Sequence, residues 1–166
     1  YESMIASAGE AAKPDVILVC VKGYSLDNTV PFIQKIAKKS TIVIPILNIY
    51  GTGSRLQKKL PELLVTDGCI YVSANIEGPG ALVQHGKILR VVFGVREKSE
   101  FREELKEIAK DFSDSGISGE LSENIRRDAL EKFSRRFLVE RTKADGIVPE
   151  HPLFLAIEAL LAEPLT

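Results

Sequence analysis

The sequence predicts an α/β protein: a parallel sheet first, then a β-hairpin, then helical segments to the end of the 166 residues. Three observations predict it. "VILVCV", Val16 to Val21, is a short uninterrupted apolar run of the kind buried on both faces of a parallel sheet. Two more such runs follow, "TIVIPIL" from Thr41 to Leu47 and "CIYVSA" from Cys69 to Ala74. Segments of helical periodicity separate the three runs, so strands and helices alternate.

Each element has its own warrant. After the first strand, Ser25 to Lys39 places Leu26, Val30, Ile33 and Ile36 at helical spacing and ends in Lys38-Lys39, as a helix dipole favours. In the second run Pro45 lacks a ladder donor, which puts it near a strand end or beside an edge. Arg55 to Leu64 reads as a short helix broken by Pro61, and Cys69 to Ala74 as the third parallel strand. Ala81 to His85 and Ile88 to Gly94 flank Gly86-Lys87 as a hairpin would, with "EGPG" (Glu77 to Gly80) as a turn before it. Ser99 to Phe112 is a charged amphipathic helix. From Ser122 the pattern is helical, from a Ser122 cap to a Gly146 stop, and Pro152 to Ala162 forms a last helix.

Composition narrows the function classes. With 45% hydrophobic and 27% charged residues the chain is expected to fold. A net charge of −1 offers no basic excess for a nucleic acid, and no apolar stretch is long enough to span a bilayer. Cys20 and Cys69, both inside apolar runs, read as small buried hydrophobes, and two histidines without ligand spacing make no metal site. The expectation is a soluble cytoplasmic protein without metal, nucleic-acid or membrane partners. Its oligomeric state is open, a homodimer included.

Ligands of open α/β sheets bind outside the carboxyl ends of the strands. The three predicted strands end at Lys22, Asn48 and Ala74, spaced 26 residues apart, which would set a cation, an amide and a small residue along one rim. A lysine there can hold a phosphate or ribose oxygen, and an asparagine both donates and accepts. Each also has a plain reading, Lys22 as the polar end of a strand and Asn48 as a turn former. "GTGSRL", Gly51 to Leu56, fails as a dinucleotide fingerprint because Leu56 stands where the third glycine belongs, so it reads as a helix entry.

Four segments in register carry a resemblance: "DVILVCVKGYSL", "PILN" with Gly51 three residues on, "YVSANIEGPGALVQHG" and "IRRDALEKF". Together, from about Asp15 to Phe133, they resemble the ketopantoate reductase (2-dehydropantoate 2-reductase) family. The resemblance implies a Rossmann domain followed by an all-helical domain, here residues 1–121 and 122–166. It implies reduction of 2-dehydropantoate, or a related 2-oxo acid, to pantoate with NADP(H), on the route to pantothenate and coenzyme A. By resemblance Lys22 and Ala74 line the cofactor site, and Asn48 lies between nicotinamide and substrate. Lys132 gives a proton to the substrate carbonyl oxygen. On helical periodicity alone, Lys132 sits at the edge of an arc formed by Ile125, Ala129, Leu130, Phe133 and Phe137, where a solvated lysine is the more ordinary reading and only the resemblance reverses it.

The chain also departs from that family. Its opening strand and glycine-rich phosphate turn would precede Tyr1. Ile49 stands where glycine usually follows the asparagine. "RRFLVERTKADGIVPEHPLFLAIEALL" resembles the end of the helical domain yet follows "EKFS" directly, so a junction is expected at Ser134-Arg135, with the family's other pantoate-binding residues absent. The alternative expectation is a non-catalytic α/β binding module derived from the same fold.

Overall fold

The computed structural model describes residues 13–134. The predicted junction at Ser134-Arg135, the Gly146 stop and the final helix fall partly or wholly outside them. The fold class is the expected one: a parallel Rossmann-like sheet, a second sheet built on a long hairpin, and helices packed on both.

The first sheet has the order β1 (Val16–Val19), β2 (Ile42–Pro45), β3 (Leu64–Val65), all parallel. β2 is the middle strand and is buried throughout, which is where its run of Ile42, Val43 and Ile44 belongs. Pro45 ends it, and the ladder resumes one residue later when Ile46 N–H donates to Val19 O at 3.0 Å. β1 is shorter than the apolar run and lies at the sheet's edge among the described residues. Its expected burial on both faces is therefore corrected: Leu18 is 43% exposed and Cys20 is exposed, while Val19 faces the core.

The connections are helical but shorter than periodicity implies. The predicted helix from Ser25 to Lys39 begins instead as two 3-10 turns, Gly23–Ser25 and Asp27–Thr29, before α1 (Val30–Ile36). Pro31 in the first turn of α1 sits where its missing N–H costs nothing. α2 (Thr52–Lys59) opens at Gly51, whose φ of 76° is left-handed, so "GTGSRL" is the helix entry it was read to be. Leu26, Ile33, Leu56 and Leu60 pack with Val43 and Val65 into the core on this face of the sheet.

The third apolar run is not a parallel strand. β3 takes that place with two residues, and Cys69 to Ala74 belongs to β4 (Asp67–Gly78), which pairs antiparallel with β5 (Ala81–Gly94). The hairpin reverses at Pro79-Gly80, the "EGPG" turn, and not at Gly86-Lys87. β6 (Ser118–Leu121), unforeseen in the sequence, adds parallel to β5. α3 (Glu104–Asp114) starts later than expected, after a 3-10 turn at Lys98–Glu100. Its Leu105 and Ile108 join Ile42, Ile44, Val91 and Phe93 in a second core between the sheets. Asn124, not Ser122, caps α4 (residues 125–134): its Oδ1 accepts from Arg127 N–H at 3.2 Å. Ser122 Oγ supports that cap, accepting from Asn124 N–H at 3.0 Å.

No described helix is long and apolar enough to cross a membrane.

The two sheets meet at Asp67. Its carboxylate accepts from Gly53 N–H at 2.8 Å and pairs with Arg96 at 3.3 Å, with the two side chains only 10% and 6% exposed. Breaking a buried, hydrogen-bonded ion pair from one side strands the other charge, at about 3–5 kcal/mol. Asp67→Ala is therefore expected to destabilise the protein by about that amount in urea unfolding. A loss below about 1 kcal/mol would show the pair to be dispensable.

Candidate active site

Asn48 lies on the loop that leaves β2 and Lys132 on the last described turn of α4, 84 residues away. The fold brings them into contact. Lys132 Nζ donates to Asn48 Oδ1 at 3.1 Å and to the carbonyl oxygen of Ile70 on β4 at 2.5 Å. The same ammonium stands 4.9 Å from the Tyr71 ring centroid and 5.4 Å from that of Phe133, distances at which an aromatic face attracts a cation.

α4 can deliver its lysine because its other face is fixed. Ile125 is fully buried against Cys69 and Val92 of the hairpin. Gly94 has no side chain because a Cβ there would meet Ser122 O at 2.8 Å and Ile125 Cβ at 3.3 Å. Lys132 thus sits at the rim of an anchored apolar face, half-buried, with its stem packed and its charge turned to the β2 loop.

Around these two residues is an open groove of about 430 Å³, a size suited to a small ligand. Asn48, Lys132, Ile70, Tyr71, Val72 and Ser73 line it, together with His85, Gly86, Lys87 and Ile88 of the neighbouring β5. Those last four residues form a bulge. Val72 pairs with Leu89 and Ala74 with Gln84, so four residues, 85–88, stand opposite the single Ser73. Gly86 takes a φ of 79° to make the detour. The Gly86-Lys87 turn read from the sequence is this bulge.

Lys22 is exposed and caps the 3-10 turn that follows β1. Its loop touches the β2 loop directly: a Cβ on Gly23 would fall 2.0 Å from Ile49 Cδ1. Ile49, where the resemblance leads one to expect glycine, is housed by the absent side chain of Gly23. Lys22 and Asn48 therefore occupy neighbouring loops at the carboxyl edge of the parallel sheet. Ala74 does not share that edge. It is exposed on β4, next to Ser73, because its strand runs in the hairpin.

The sequence reading passed over Tyr71, Ser73, His85 and Lys87. Tyr71 is the most perturbed: burial first, then the adjacent Cys69 thiol, pushes its phenol up to about 12, against a smaller opposing pull from Arg90. Burial also raises the Cys69 thiol, with Lys132 opposing. Among the described residues no group of three or more His, Cys, Asp or Glu could hold a metal ion.

Comparison with known proteins decides the family. The chain matches the family described as ketopantoate reductase PanE/ApbA over residues 1–98, more than half its length. It belongs to the ketopantoate reductase family. It is 24% identical over 135 residues to the uncharacterized oxidoreductase YkpB of Bacillus subtilis (strain 168), covering 80% of this chain and 44% of that protein. A 39-residue stretch is 67% identical to the RecBCD enzyme subunit RecB of Escherichia coli (strain K12), which is 24% of this chain and 3% of RecB.

Among solved structures, 2-dehydropantoate 2-reductase from Porphyromonas gingivalis W83 superposes with a TM-score of 0.78 at 25% identity, covering 92% of this chain and 55% of that one. D-mandelate dehydrogenase, solved with NADH and anilino(oxo)acetate, gives 0.65 at 26% identity, covering 75% of this chain and 40% of that one. The chain spans about half the length, or less, of these relatives.

The Tyr71 shift has a signed consequence. A phenol whose folded pKa lies above its unfolded value of about 10 holds its proton more tightly in the fold. Its contribution is complete below pH ~10 and is lost as pH climbs towards about 12. Tyr71→Phe should therefore flatten the fall in stability over that interval and remove a tyrosine that titrates at about 12 from an ultraviolet absorbance titration. An unchanged titration would refute the assignment.

Proposed function

We propose that this chain carries the catalytic half of a nicotinamide-dependent 2-oxo acid reductase, with 2-dehydropantoate, or a close relative of it, as substrate and pantoate as product. The contact of Lys132 with Asn48 at the mouth of the groove is the observation that carries this reading. Through Asn48 the groove reaches the carboxyl edge of the parallel sheet, where α/β sheets receive ligands, and its donor set suits the nicotinamide end of NADP(H) beside a carbonyl substrate. Lys22 and Ala74 would flank the cofactor on the neighbouring loop and on β4, and Asn48 would lie between cofactor and substrate. When bound, the cofactor supplies the hydride.

The residues of the chain do the rest. Reduction of a ketone places negative charge on the carbonyl oxygen, and the Lys132 ammonium faces the groove where that charge develops. It stabilises the charge and passes a proton to the oxygen, leaving a neutral amine that solvent reprotonates. Asn48 Oδ1 and Ile70 O hold the ammonium in place before the reaction, so little reorganisation is left for the transition state. Tyr71 and Phe133 keep water from part of the amine's surroundings.

Lys132→Ala is expected to lower kcat for NADPH-dependent reduction of 2-dehydropantoate by about 100-fold or more, while the Kd for NADPH changes by less than about threefold. Asn48→Ala should raise KM as well as lower kcat. Wild-type protein that binds NADPH but turns over no 2-oxo acid would favour a binding module of this fold. The same assay with NADH settles which nicotinamide the chain prefers.

A further inference from the structure

Among the described residues the groove beside Lys132 is lined by two lysines, Lys132 and Lys87, and by no aspartate or glutamate. A cleft of one sign concentrates ligands of the other. Lys132 reaches the groove from α4, and Lys87 from the bulge of β5, the strand paired with β4. The apolar side chains of Ile70, Val72 and Ile88 share the lining.

A 2-oxo acid presents two polar ends to such a site, a carbonyl to be protonated and a carboxylate to be neutralised. An ammonium has three N–H bonds, and Lys132 directs two of them to Asn48 and Ile70. A second donor for the carboxylate leaves Lys132 to the carbonyl oxygen, and Lys87 on the bulge is a charged one. Nothing in strand pairing calls for a four-residue detour at 85–88; its effect is to bring Lys87 and Ile88 to the groove. His85 is otherwise engaged, its ring nitrogen bonded to Asn75 Oδ1.

Building on the reductase reading, we propose that Lys87 is the carboxylate-binding residue of this site, and that Ile88 with Val72 forms the wall that receives the substrate's apolar tail. The bulge is then the specificity element of the chain.

Charge-assisted contacts of this kind are worth about 10- to 100-fold in affinity. Lys87→Gln should raise KM for 2-dehydropantoate by that factor, with kcat within about twofold, and Lys87→Arg should restore most of it. The KM for the uncharged primary amide of the same acid should be unaffected by either change. Calorimetric titration of pantoate into both proteins reads the same difference without turnover, so a chain that proves inactive still tests the proposal. An unchanged acid KM and pantoate affinity would overturn it. So would weakened NADPH binding with normal acid binding, which would assign Lys87 to a cofactor phosphate.

Discussion

The buried carboxylate of Asp67 is the point on which the rest of this structure turns. It is the first residue of β4, and it reaches back to the first turn of α2 through Gly53 N–H. There is room for nothing but glycine at that position, since a Cβ on Gly53 would lie 2.1 Å from Thr66 O and 2.4 Å from Asp67 Oδ1. Arg96, just after β5, closes the arrangement by pairing with Asp67 and donating to Val65 O at 2.7 Å and Gln57 Oε1 at 3.2 Å. One guanidinium thus ties the end of β3, helix α2 and the start of β4. Such groups are costly to bury unless their polar atoms are matched, and here no fully buried side-chain atom of Asp67 or Arg96 lacks a partner. The parallel sheet and the hairpin sheet are held in one relation as a result.

That relation decides where the acceptors of Lys132 stand. Asn48 lies on the loop that feeds α2, and Ile70 lies three residues along β4 from Asp67. Both positions follow from the same buried pair, although neither touches it. The donor arrives on a third element, α4, seated by Ile125 and by the close approach at Gly94. Three separately anchored pieces of chain meet at one ammonium. The electrostatic surroundings are correspondingly specific. Cys69 and Tyr71 are both held towards their neutral forms by burial, so they add no anion beside Lys132 that would compete with a substrate oxygen.

Much of the parallel half was legible in the residues. β-branched runs marked β1 and β2, glycine marked the entry to α2, and Pro45 marked a strand end. What misled was local ambiguity. Leu64–Val65 is too short a strand to show a period, and Leu64 reads as the end of a helix from Arg55, so the apolar run Cys69 to Ala74 takes its place as the third parallel strand. Gly80 and Gly86 both adopt positive φ, at 76° and 79°, and composition does not tell which reverses the chain and which bulges it. "SGEL" has too little apolar character to announce β6. The pairing of Asn48 with Lys132 came from resemblance alone. Periodicity placed Lys132 only at the edge of an apolar arc, and no local pattern relates residues 84 positions apart.

The site is assembled by contacts that are long in sequence, so its geometry and the fold's stability are coupled through the same few groups. Deleting the Asp67 charge would do more than remove an ion pair. It would release the first turn of α2, and with it the loop that holds Asn48 against Lys132. An ammonium that loses Asn48 as an acceptor keeps its charge but not its aim, and in the proposed reaction misplacing such a group by an ångström is enough to cost about two orders of magnitude in rate. The bulge is a contrasting case. Residues 85–88 are exposed and outside the ladder, so their side chains can vary at little cost to the core. In this chain Lys132 and Asn48, which the proposed reaction uses, are bound into the packing of the two sheets, while residues 85–88 are left free to vary.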